Sequence, residues 1–133
     1  MLMTAKKPKS LLDLVVVLNL ACLIGHQIDA AYWHEWEMFK SPGGIQFYNA
    51  SNFVLFTILV GCLIPIIQRQ KIGRYASITI ALCSGIVLPI HSLFALAGYR
   101  QFNLPVSILL ILATFVISVI QVILTLKCWR DFI

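Results

Sequence analysis

Between Lys40 and Arg69, and again between Arg100 and Lys127, the chain carries no Asp, Glu, Lys or Arg. A helix rises 1.5 Å per residue, so about 20 mostly apolar residues cross a hydrocarbon core about 30 Å thick. Both stretches exceed that length. Composition agrees: 60% of residues are apolar and 11% charged, against about 45–50% and about 25% in a soluble domain. With a mean hydropathy of +0.92, the chain reads as an all-α, polytopic integral membrane protein. Its 133 residues suit a single membrane domain, a bundle of four transmembrane helices, with no room for a soluble domain. The spans are expected at about 11–32, 49–68, 75–97 and 104–126.

Local signals separate these spans. A basic tail at residues 4–9 leads to Ser10 and Asp13, whose spacing is that of a helix N-cap followed by a first-turn acid. Ser41-Pro42-Gly43-Gly44 is the clearest turn, because proline fixes φ and glycine accepts positive φ. Asn103 is expected to cap the last helix, with Pro105 in its first turn. Pro65 falls near the end of the second span, where neighbouring helices can satisfy the freed carbonyl. The start also resembles a signal peptide. Its cleavage grammar is poor, since Ile28-Asp29-Ala30 lacks small residues at both required positions, so an uncleaved helix is expected.

Orientation follows from the basic residues. Lys6, Lys7, Lys9, Arg69, Lys71, Arg74, Lys127 and Arg130 fall on one side of a four-span arrangement, and Lys40 and Arg100 on the other. Cytoplasmic segments retain Lys and Arg, so both termini are expected to be cytoplasmic, in the inner cell membrane. Tyr32, Trp33, Trp36, Phe39, Phe47 and Tyr48 cluster at the outer ends, as interfacial aromatics do. The net charge of +5 therefore speaks for topology and contact with a lipid bilayer, not for nucleic acid. Cys22, Cys62, Cys83 and Cys128 form no C-x-x-C and read as packing residues.

One polar stretch stands out, Gly25 to Glu37, with two of the three histidines and three of the five acids. His26 lies 15 residues beyond Leu11 and His91 lies 16 beyond Tyr75, so each climbs roughly 22–24 Å from the inner face. They should share a level in the outer half. At about 100° per residue, a helix continuing to Phe39 would align His26, Asp29, Trp33 and Glu37 on one face, with Glu35 opposite and His34 at the edge.

Ionisable residues at this depth face a bundle interior or a hydrated cavity. Three readings stay open. In the first, His26, His91 and Asp29 ligate zinc or another divalent metal, with His34 or Glu37 as a fourth ligand. Glu37 and Asp29 are then the acid–base candidates, and the substrate is an amphiphilic or lipid-derived small molecule open to hydrolysis. His34-Glu35-Trp36-Glu37-Met38 is not the His-Glu-x-x-His zinc motif, because position 38 is Met. In the second, the cluster serves a proton or small-solute pathway. In the third, it only fixes helix packing, as in a homo-oligomer or a subunit of a membrane complex. Gln121 reads as interhelical glue, and Arg100 as a partner for Glu35, Glu37 or a lipid headgroup.

His26-x-x-Asp29-Ala30, the Glu35-Trp36-Glu37 stretch, His91 followed by Gly98, and Phe102-Asn103-Leu104-Pro105 resemble small bacterial membrane proteins with a His-Glu-x-Asp-Ala motif. Those are similar to a broader group named for a His-x-x-Glu-Glu motif. The chain departs from the pattern at Gln27, where Glu is typical. The resemblance implies four membrane helices with functional His and acidic residues, and no particular activity.

Overall fold

The computed structural model describes residues 8–133, with side chains from Leu11 onward. The basic tail at residues 4–7 and the side chain of Ser10 lie outside what it describes. Seven α-helices follow: α1 Pro8–Tyr32, α2 Glu35–Met38, α3 Gly44–Gly61, α4 Leu63–Ile67, α5 Lys71–Gly85, α6 Val87–Leu96 and α7 Pro105–Lys127. A single 3-10 turn, Trp129–Asp131, closes the chain. No strand occurs among the described residues.

These helices make four spans long and apolar enough to cross a membrane: Leu11–Tyr32, Gly44–Ile67, Lys71–Leu96 and Pro105–Lys127. The second and third begin earlier than hydropathy alone implies. Gly44 starts a helix directly after the proline turn, and the polar residues Lys71 and Arg74 occupy the first turn of α5. Two spans are each built from two helices. Pro65 and Pro89 have no N–H to return to Gly61 and Gly85 four residues earlier, and α3 and α5 end at those glycines.

Three of the spans share a core. In α1 the buried residues Leu12, Val16, Asn19, Leu23, His26 and Ala30 recur at alternating intervals of four and three. The same spacing gives Gly73, Ser77, Ile80, Ser84, Val87 and His91 along α5 and α6. It recurs in α7 as Ser107, Ile111, Thr114, Ser118, Gln121 and Thr125. Such spacing is that of helices packed at shallow angles, side by side. The α3–α4 span is peripheral: only Leu59 and Ile66 of it are buried. Phe53, Val54 and Ile58 stay exposed on it, as suits contact with lipid.

Two polar devices hold the end where α1 begins. Within the core, the Asn19 amide donates to Gln121 Oε1 at 2.7 Å and to Ser118 Oγ at 3.1 Å. Gln121 in turn donates to the Ser77 carbonyl at 2.7 Å, so one side chain bonds to α1 and α5 at once. This is the glue expected of Gln121. At the margin, Arg69 Nη2 lies 2.9 Å from Asp13 Oδ1, and the Ile133 N–H donates to the Arg69 carbonyl at 2.8 Å. Asp13 was expected to serve its own helix start; it faces the α4–α5 turn instead. Asp13 Oδ1 makes no aligned hydrogen bond, so the contact is one of charge. Asn103 likewise gives no cap: Leu104 occupies the N-cap position of α7, without a side-chain bond.

Candidate metal centre

His26 and His91 occupy corresponding levels of their seams, near the opposite end of the bundle. They are 1% and 8% exposed, and their rings meet edge to face at 4.8 Å between centroids. The His91 Nδ1 atom lies 2.9 Å from the Val87 carbonyl. A carbonyl only accepts, so Nδ1 carries the hydrogen and the ring is oriented by its own helix. That leaves Nε2 facing Glu35 Oε1 at 3.2 Å. Although close, the two atoms are not aligned as a hydrogen bond, and Nε2 has no partner; nor does His26 Nδ1. One donor atom each from His26, Glu35 and His91 lies within 4.8 Å of the others.

Glu35 reaches this place through a break in the chain. α1 ends at Tyr32, and His34 adopts a left-handed conformation with φ 55° and ψ 47°. The Glu37 N–H then returns to the His34 carbonyl at 2.9 Å, and α2 sets off with Glu35 and Met38 buried. The face expected for an unbroken helix therefore holds as far as Trp33 and resets at His34. The Trp33 indole still points inward and donates to Ser107 Oγ at 3.1 Å.

The expected site is thus rearranged. Glu37, expected beside His26, is on the surface, with His34 at 3.7 Å and side-chain exposures of 69% and 60%. His34 stacks on Trp36 at 5.0 Å. Neither joins His26 and His91. Asp29 is partly buried, with Oδ2 lacking a partner, and does not belong to the trio. Glu35, expected on the far face, does. Nothing local in the sequence announces the break, since no glycine or proline stands between Gly25 and Pro42.

Phe102 is the second residue that hydropathy and phase did not assign to the site. It is 5% exposed and packs on both imidazoles, at 4.3 Å from His91 and 5.6 Å from His26. Its φ of 60° is costly for a bulky side chain, by about 1–2 kcal/mol. A left-handed residue thus stands beside the cluster on each connection, placing Glu35 from one side and Phe102 from the other. Strain of this kind persists where the surroundings over-determine it.

Two hollows lie at this end of the bundle. One, of about 190 Å³, lies between α6 and α7, with His91 and Phe102 in its wall. The other, of about 580 Å³, is open and polar, and is lined by Trp33, His34, Glu37 and Arg100 among others.

The fold and cluster define a class: a small helical membrane protein with a buried His/Glu/His group inside its helix core. Within that class, the chain belongs to a family of unknown function, DUF6713, whose family model matches residues 12–128. No curated protein matches it, and neither does any solved structure.

Proposed function

We propose that His26, Glu35 and His91 bind a divalent transition metal of the zinc type, and that the protein is a metal-dependent membrane hydrolase of an amphiphilic substrate. The observation that carries this reading is the pair of buried, unpartnered imidazole nitrogens, His26 Nδ1 and His91 Nε2, beside a buried carboxylate. Two acceptors at 3.2 Å repel unless a proton or a cation lies between them. The off-axis approach of Glu35 suits a cation. Ligands about 2.0–2.1 Å from a tetrahedral zinc lie about 3.3–3.4 Å apart, close to that separation. The widest separation, 4.8 Å, requires the trio to draw in on binding. The His91 hydrogen bond to Val87 is the outer contact that orients a metal-binding imidazole.

His26, Glu35 and His91 would hold the ion, which when bound would supply the water-activating Lewis-acid chemistry that hydrolyses esters and amides. In that reaction the acyl bond breaks, the hydroxyl joins the acyl carbon, and the proton goes to the leaving group. The residues of this chain hold the site at depth, and Phe102 covers it. Elemental analysis of purified protein should give about one divalent ion per chain, since a buried three-ligand site binds stoichiometrically. His91→Gln and Glu35→Gln should lose it, whereas Glu37→Gln and Asp29→Asn should retain it. Absence of metal from the wild type, or its retention in His91→Gln, contradicts the reading.

A second reading, a proton or small-solute pathway, draws on Ser84. Its hydroxyl is fully buried without a partner, two helical turns from His91 on the same seam. Proton flux into proteoliposomes that stops on Ser84→Ala would favour it over the hydrolase. The orientation we propose places both termini in the cytoplasm and the cluster toward the outer face of the inner membrane. Arg69, Lys71 and Arg74 support it, lying at the end to which the C-terminal residue is bonded.

A further inference from the structure

Tyr99 and Gln101 line both of the hollows. The hollows are therefore neighbours, and they differ in character. The one between α6 and α7 is walled by Leu88, Phe94, Ile108 and Leu112, with His91 at its side. The other is polar and sits over the connections at the end of the bundle, with Arg100 in its wall.

Arg100 is exposed and makes no ion pair among the described residues. Glu37 lines the same hollow, its carboxylate 3.7 Å from His34 Nδ1. An arginine at a membrane boundary, flanked by Tyr99, is suited to an anionic headgroup. The hollows thus offer a cation for a head, an apolar cleft for a chain, and His91 in the wall of that cleft.

We infer that the two hollows together bind one amphiphile with an anionic headgroup. Its head lies against Arg100, its chain between α6 and α7, and its head-to-chain junction near His91. This deepens the hydrolase reading by naming the substrate class, and it rests on that reading for any chemistry at the junction. The binding itself needs only the hollows.

The test uses the full-length protein in neutral maltoside micelles. Radiolabelled lysophosphatidylglycerol and lysophosphatidylcholine of equal chain length are the probes. Wild type should bind the anionic probe about five-fold more tightly, the scale of one arginine beside an anionic headgroup. Arg100→Gln should abolish that preference. Ala95→Trp fills the apolar hollow from an exposed position, and should weaken both probes about ten-fold by overfilling it. Ile64→Trp, on the exposed face of α4, should leave both unchanged.

Equal affinity for the two probes, a preference that survives Arg100→Gln, or wild-type binding by Ala95→Trp overturns the inference. Zinc content is measured on the same samples. The expected binding pattern in protein that takes up no zinc upholds the amphiphile site and contradicts the hydrolase reading. Zinc uptake without that pattern does the reverse.

Discussion

His34 affects the cluster through its backbone. Its side chain is 60% exposed and touches Trp36 and Glu37, yet its φ of 55° turns Glu35 toward His91. Glycine accepts this conformation freely, whereas a β-branched residue does not. His34→Gly should therefore keep both metal content and thermal stability. His34→Val should lower stability by about 1–2 kcal/mol, read as a lower unfolding temperature in micelles. Equal loss of metal in both variants would instead make the imidazole a ligand. This residue also marks where the sequence stops being informative. Depth and phase pair His26 with His91, because both lie on regular helices. They misplace Glu35 because one left-handed residue resets the phase, and the identity of His34 does not reveal it. Phe102 is hidden for the same reason, in a connection where periodicity carries no information.

The four spans were legible, since charge-free stretches and turn residues separate them, whereas the early starts of the second and third and their division at Gly61 and Gly85 were not. Nor were the unequal roles of the spans. The second span is as apolar as its neighbours, but lacks a polar seam like Ser77-Ser84-His91 or Ser107-Thr114-Ser118-Gln121, and it lies at the margin. It is held to α1 by the Tyr48 hydroxyl, which donates to the Gln27 carbonyl at 2.8 Å, and to α5 by a close backbone approach. A Cβ on Gly73 would stand 2.2 Å from the Pro65 carbonyl oxygen, whereas one on Gly61 would meet nothing within 4 Å. Gly73→Ala should thus cost about 1–3 kcal/mol, because backbone must shift to relieve the overlap. Gly61→Ala should cost nothing. Thermal unfolding of the two variants beside wild type decides the matter, and equal stability would show that α4 and α5 do not depend on this contact.

For the whole molecule, the bundle has one end fastened by Arg69, Asp13 and the C-terminal residue, and another end carrying the His/Glu/His group. Orientation in the membrane then determines which compartment the group serves. With cytoplasmic termini, a C-terminal green fluorescent protein fusion should fluoresce and a phosphatase fusion should stay inactive. The opposite pattern would turn the cluster toward the cytoplasm. Zinc X-ray absorption on the purified protein decides whether His26, Glu35 and His91 form a metal centre. Nitrogen and oxygen neighbours at about 2.0–2.1 Å, with outer scattering from two imidazoles, are expected for the wild type, and no bound zinc for His91→Gln. Failure of the wild type to take up zinc, or a sulfur neighbour at about 2.3 Å from one of the cysteines, would contradict that centre.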